Sequence, residues 1–254
     1  MAVPTRLILW DIDGTLLATG PVGRLALELG ACRAAGIDEV PEVAMGGKTD
    51  PQIVRELLSL SRVAPGDVDT LVPVALGEAQ RILAAGSARM RVEGAVHPGV
   101  AELLGALSEV RGVRQTLLTG NIRANAVVKV HAFGLDRFLD VAVGAYGTDH
   151  ADRDGLVPIA LDRVRERRGE TYLPDQVWVI GDTARDLSCA RAGGVCCMIV
   201  GTGREGFDAV QSLEADAVLA DLADTDLVMK LLLSTHALQG GERGQADRSR
   251  GLQR

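Results

Sequence analysis

Asp11 and Asp13 stand two residues apart at the end of an apolar run, Leu7-Ile-Leu-Trp10, with the stem of Arg6 leading in. Such a run predicts a strand buried on both faces. In an extended chain, positions i and i+2 point to the same side, so the two carboxylates should emerge together. Gly14 then lets the chain turn sharply away. Two carboxylates facing one way repel unless a cation lies between them or one is protonated. Oxygen-only ligands suit a hard divalent cation such as Mg2+. The plainer alternative is a strand that happens to end in an Asp-Gly turn.

Three further segments end in polar residues of the right kind. Gln115-Thr-Leu-Leu118 runs into Thr119-Gly120-Asn121. Val141-Ala-Val143 is followed by a polar loop holding Asp149, Asp152 and Arg153. Gln176-Val-Trp-Val-Ile180 runs into Gly181-Asp182-Thr-Ala-Arg-Asp186. In open parallel sheets, reactive groups gather at the carboxyl ends of strands. Alone, Asp182 reads equally well as a helix N-cap. Beside the double-aspartate strand end it becomes the second half of an oxygen-rich metal site.

The elements that must position these residues follow from periodicity. After Pro98-Gly99 the chain alternates strands with helices: helix 100–110, strand 115–118, helix 123–133, strand 141–143, helix 157–168, strand 176–180, helix 187–192, strand 195–200, helix 208–213 and strand 217–219. Strands separated by helices imply parallel pairing and a doubly wound α/β core. Between residues 20 and 90 the spacing predicts only helices, at 24–35 (with Leu25, Leu29 and Cys32 on one side), from Pro51 with Asp50 as N-cap, and at 67–85. The domain organisation is therefore a core of residues 1–18 and 93–235, an all-helical insertion over 19–92, and a polar tail over 236–254 that reads as disordered.

Composition narrows the function. The chain has 254 residues, a net charge of −7 and only seven Phe, Trp and Tyr residues, which argues against nucleic acid and anionic membranes as partners. No apolar run approaches a membrane span and no leader pattern opens the chain, so a cytoplasmic protein is expected. Four cysteines without a CxxC pair read as buried reduced thiols. Gly201-Thr-Gly203-Arg-Glu-Gly206 matches GxGxxG, but too little βαβ chain follows for a dinucleotide site, and it reads as a loop. Lys48, the only lysine between residues 17 and 94, lies in a glycine-flanked loop and could meet a substrate anion. Arg24 is a weaker candidate, and His97 reads as structural.

Taken together, Asp11-Ile-Asp13-Gly-Thr-Leu16, Leu117-Leu-Thr119-Gly-Asn121 and Gly181-Asp182-x-x-x-Asp186 resemble the haloacid dehalogenase-like superfamily, in its phosphoglycolate phosphatase-like branch with a helical cap. The resemblance spans about residues 5–230. It implies a Rossmann-like core and Mg2+-dependent hydrolysis of a small phosphorylated metabolite. Asp11 is implied to be the nucleophile that forms an aspartyl-phosphate, and Asp13 the acid that protonates the leaving oxygen and then activates water. Mg2+ would be held by Asp11, the main-chain carbonyl of Asp13, Asp182 and Asp186. Thr119, with Gly120 and Asn121 beside it, would bind the phosphoryl oxygens. The family's third motif is usually a lysine. Here Arg153 stands near that place, and a guanidinium can contact carboxylate and phosphate together; the alternative is a solvated arginine paired with Asp152 or Asp154. A phosphomutase sharing the intermediate and a catalytically silent regulatory protein are the rival functions. Dehalogenase and phosphonatase chemistry are disfavoured, because those relatives lack an acid at the Asp13 position.

Overall fold

The computed structural model describes residues 5–234, so the expected disorder of 236–254 lies outside the described residues. In chain order the elements are β1 Arg6–Trp10, β2 Leu17–Ala18, α1 Val22–Ala35, α2 Asp50–Leu60, α3 Val68–Ala85, α4 Ser87–Glu93, β3 Ala95–Val96, α5 Val100–Ser108, β4 Val113–Thr119, α6 Arg123–Ala132, β5 Ala145–Tyr146, α7 Leu156–Arg168, β6 Val177–Gly181, α8 Ala184–Ala192, β7 Cys196–Val200, α9 Phe207–Val210, β8 Ala217–Leu219 and α10 Thr225–Leu233. Six of the strands form one sheet in the order β5-β4-β1-β6-β7-β8. Every pairing in it is parallel.

The sheet is doubly wound, as the alternation of strands and helices predicts. Leu7 and Leu9 of β1 face one hydrophobic layer, with Val177, Val179 and the α7 residues Val157 and Val164. Ile8 and Trp10 face the other, with Leu103 and Leu107 of α5 and Val228 and Leu232 of α10. All five residues of β1 are buried, which is why that run carries no polar alternation. Arg6 is accommodated because its Nε and Nη2 donate to the carbonyls of Leu232 and Ser234, both at 2.8 Å.

From β1 the chain winds outward to β4 and β5, then returns to lay β6 on β1's other side. This reversal opens a crevice at the carboxyl end of β1, where ligands bind in such sheets. Trp10 is level with Leu117 of β4 and Ile180 of β6. Asp11, Thr119 and Asp182 therefore leave three adjacent strands at nearly the same height.

Helices α1 to α4 fill the interval between Leu17–Ala18 and Ala95–Val96, and those two short segments pair antiparallel where the chain leaves and re-enters the core. α1 to α3 share their own apolar cluster, including Leu27, Ala31, Val54, Leu57, Val72 and Ala79. The buried face of α1 keeps only Cys32 of the expected Leu25–Leu29–Cys32 line: Leu25 is half-buried and Leu29 exposed, whereas Ala26, Leu27, Gly30 and Ala31 are buried. Gly30 lies so close to the Ala75 carbonyl of α3 that a Cβ would overlap it. Small side chains let the two helices approach, and close packing overrides the larger leucines.

Three other expectations need correction. Residues 141–143 form a turn, and the strand after α6 is the two-residue β5; Val143 is apolar because it is buried in the core, not because it pairs. The N-cap of α2 is Thr49, whose hydroxyl accepts from the Gln52 N–H at 3.3 Å, with Asp50 already inside the helix. Likewise α8 is capped by Thr183 and not Asp182. The spacing analysis missed α4 and α10 altogether.

Candidate active site

The crevice holds a buried group of like charges. Carboxylate oxygens of Asp11, Asp182 and Asp186 all lie within 4.8 Å of one another. Each is positioned by a backbone device. Asp11 follows β1, with its N–H donating to the Ile180 carbonyl at 2.9 Å. Asp182 follows β6, and Oδ1 accepts from the Thr15 hydroxyl at 3.1 Å. Gly14 and Gly203 press against that carboxylate so closely that a Cβ on either would overlap it. Asp186 lies in the first turn of α8 and closes a capping box, its Oδ2 accepting from Thr183 N–H at 3.0 Å and Thr183 Oγ1 at 2.6 Å.

Arg153 supplies the positive charge. It begins a 3-10 turn, Arg153–Gly155, and its side chain is buried. Nη2 lies 3.1 Å from Asp11 Oδ1 and also pairs with Asp186. Asp152 does not pair with it; its carboxylate caps the turn by accepting from the Asp154 N–H. Asp154 does not pair with it either, and accepts from Ser188 Oγ.

The electrostatics follow from these neighbours. Burial pushes Asp11 up to about 6, Arg153 opposes the shift, and the charges of Asp186 and Asp13 add to it. Burial also pushes Asp182 up to about 9, reinforced by Asp186 and Asp11 and opposed by Thr15 and Arg153. Burial by itself would favour neutral Arg153, but Asp11 and Asp186 hold it protonated. Three carboxylates share one guanidinium, so the cluster is short of positive charge.

Asp13 faces elsewhere. Its carboxylate is outside the acidic triad, and Oδ2 accepts from Lys129 Nζ at 2.6 Å and from Asn121 Nδ2 at 2.8 Å. Thr119 is fully buried at the end of β4. Its hydroxyl accepts from Asn121 Nδ2 at 2.9 Å, and it helps to hold Asp11 ionised. The Gly120 carbonyl accepts from the Asp50 N–H at 2.7 Å, and a Cβ on Gly120 would overlap the Lys48 carbonyl. Lys48 Nζ itself is paired with Glu56, and Arg24 with Glu28.

Above the triad lies a cavity of about 790 Å³, lined on its far side by residues of the helical insertion such as Arg24, Leu27, Val43 and Ile53. Asp11, Asp13, Thr119, Gly120, Asn121, Lys48, Arg153 and Asp182 all line it; Asp186 lies beneath. The insertion is tied to the core beside the cavity. Asp50 Oδ2 accepts from the Ile122 N–H at 2.9 Å and Asn125 Nδ2 at 3.2 Å, and Thr49 Oγ1 donates to the Ala151 carbonyl at 3.0 Å.

Sequence reasoning missed Lys129, Asn125 and Thr202. The last donates from Oγ1 to the Gly14 carbonyl at 2.6 Å, so the GxGxxG segment braces the turn after Asp13. A signal for the first two exists: Asn125 and Lys129 are four residues apart on one face of α6, and Asn121 stands another four residues back, just before the helix begins. Among the described residues no helix is long and apolar enough to cross a membrane.

The chain is 29% identical over 236 residues to the plasmid-borne phosphoglycolate phosphatase of Cupriavidus necator, covering 87% of this chain and 92% of that one. It is 29% identical over 224 residues to phosphoglycolate phosphatase of Rhodospirillum rubrum, covering 86% and 88%. The crystal structure of CbbY from Rhodobacter sphaeroides in complex with phosphate superimposes with a TM-score of 0.62 at 22% identity, covering 87% of this chain and 96% of that one. Residues 8–191 match the model of the haloacid dehalogenase-like hydrolases. With its parallel core, its three polar strand ends and relatives that are phosphatases, the chain belongs to the haloacid dehalogenase-like hydrolase family.

Proposed function

We propose that this hydrolase is a Mg2+-dependent phosphatase that cleaves a small phosphorylated metabolite through an aspartyl-phosphate on Asp11. The observation that carries the reading is the buried triad of Asp11, Asp182 and Asp186 with Arg153 as its one guanidinium, at the floor of a cavity between the core and the helical insertion. Three carboxyl groups beside one guanidinium, two of them pushed up to about 6 and about 9 by burial and by one another, form an all-oxygen donor set that fits a divalent cation. Asp11, Asp182 and the Asp13 carbonyl would hold it, with Asp186 closing the set. Bound there, Mg2+ supplies Lewis-acid stabilisation of the phosphoryl oxygens.

The chain's own residues carry the steps. Asp11 attacks phosphorus as an ionised carboxylate, and Arg153, 3.1 Å away, keeps it ionised and turned toward the cavity. Asp13 gives a proton to the departing oxygen, then takes one from the water that hydrolyses the acyl-phosphate. Thr119 and nearby N–H groups orient the phosphoryl oxygens. The helical insertion acts as a cap that keeps bulk water out of the cavity. The four cysteines are free and buried, which accords with a reducing, cytoplasmic setting.

The direct test is phosphate release from a panel of phosphorylated metabolites, with and without Mg2+. Phosphoglycolate is the first to try, because two relatives carry that name. Interconversion of sugar phosphates without phosphate release would instead make the enzyme a mutase.

A thermal prediction follows from the raised carboxyls. Asp11 at about 6 and Asp182 at about 9 both exceed the ordinary value of 3.8. The folded metal-free protein therefore holds more protons than the unfolded chain between about pH 4 and 9, and its stability falls as pH rises through that window. A cation that binds the ionised triad offsets that loss. Saturating Mg2+ is expected to raise Tm by about 5 °C or more at pH 8.5 and by less than about 2 °C at pH 5. Equal shifts at both pH values in differential scanning fluorimetry would remove the triad as the metal site.

A further inference from the structure

Lys129 and Asn121 converge on one atom of Asp13. Lys129 Nζ is 2.6 Å and Asn121 Nδ2 2.8 Å from Asp13 Oδ2, and Lys129 Nζ also donates to Asn121 Oδ1 at 2.6 Å. Asp13 Oδ1 accepts no hydrogen bond among the described residues, and Asp13 lines the cavity. Lys129 is buried, and it projects from the α6 face that also carries Asn125 beneath the insertion's Asp50. A buried ammonium needs partners, and this one has a closed triangle of them.

We propose that Lys129 is a positioning residue that fixes the Asp13 carboxyl by its Oδ2, leaving Oδ1 as the atom that exchanges the proton with the substrate. An unrestrained aspartate on a turn would sample several rotamers. Two donors on Oδ2 select one of them and mark the two oxygens apart. In the first half-reaction Oδ1 gives its proton to the departing alkoxide as the phosphorus–oxygen bond breaks, while Oδ2 keeps both donors. In the second, Oδ1 takes a proton from the attacking water, and the acid is restored. The proposal rests on reading Asp13 as the acid and base.

The test compares two esters, an alkyl phosphate, whose leaving group needs a proton, and p-nitrophenyl phosphate, whose leaving group hardly does. For Lys129→Met, kcat/KM is expected to fall by about 30-fold or more on the alkyl ester and by less than about 3-fold on the aryl ester. Inhibition by inorganic phosphate should stay within about twofold, since a residue that does not hold the phosphoryl group should not alter it. Asp13→Asn should give the same pattern with a larger loss. Lys129→Gln keeps one donor, should lose an intermediate amount, and serves if circular dichroism finds the methionine variant unfolded. Equal losses on both esters, or weakened phosphate inhibition with the ester ratio unchanged, would overturn the proposal and make Lys129 a structural or substrate-binding group. If Asp13→Asn itself fails to separate the esters, the acid–base reading is wrong and the role of Lys129 falls with it.

Discussion

Asp11→Asn is expected to lower kcat by about 10^4-fold or more while the protein still folds and binds phosphate. Asparagine keeps the shape of the side chain, and its carbonyl oxygen can still accept from Arg153, which lies 3.1 Å from Asp11 Oδ1. What is lost is the nucleophile itself, because an amide oxygen does not form the acyl-phosphate. The fold should tolerate the change. Asp11 is pushed up to about 6 by burial and by Asp186 and Asp13, against Arg153 and the Thr119 hydroxyl, so removing its charge relieves that repulsion. The metal-free variant should therefore melt no lower than the parent at pH 8.5, and Mg2+ should stabilise it less. Stopped-flow phosphate release and a labelled-phosphate trap on the intact chain are the measurements. Turnover retained within about tenfold, or label still incorporated, would reject Asp11 as the attacking group.

The parts of this site that could be read from sequence are those fixed by backbone periodicity. An apolar run buried on both faces ends where its polar residues begin, so Asp11, Thr119 and Asp182 announce themselves as strand ends. Their convergence then follows from parallel order, with β1 between β4 and β6. Contacts set by side-chain reach across elements leave a weaker trace. Asp13 and Asp11 emerge from the same strand end, yet one joins the acidic triad and the other turns to Lys129, and no spacing rule separates them. Lys48 stands out by composition but is already paired with Glu56. Lys129 is hidden in an ordinary helix because a four-residue polar repeat more often marks a solvated face. β5 was displaced because Val141 and Val143 are apolar for packing, while pairing falls to Ala145 and Tyr146, level with Leu118 and Thr119. α10 matters through its carbonyl end, where Leu232 and Ser234 receive the buried Arg6.

Arg153→Ala should damage both stability and turnover, and the two losses can be separated. The guanidinium is buried between Asp11 and Asp186 and, among the described residues, is the only group paired to both. Removing one partner of a buried ion pair leaves the remaining charge uncompensated, typically at about 3–5 kcal/mol. Here part of that loss is avoided, because Asp11 and Asp182 already lie above the ordinary carboxyl value and can take up protons. The sign is testable: with Arg153 gone both carboxyls rise further, so the variant's deficit should widen as pH increases from 5 to 9. Mg2+ should recover much of the stability, since it replaces a positive charge at the same cluster. Turnover should not recover with it. Arg153 also turns Asp11 toward the cavity, so kcat should stay about 10^2-fold or more below the parent at saturating Mg2+. Arg153→Lys is the discriminating partner, because an ammonium restores charge on a shorter side chain without the planar guanidinium whose Nη2 lies between Asp11 and Asp186. It should melt close to the parent and regain part of the lost activity. If the alanine variant instead melts and turns over like the parent, Arg153 has no part in holding the nucleophile, and the ion pair with Asp11 is incidental to the chemistry.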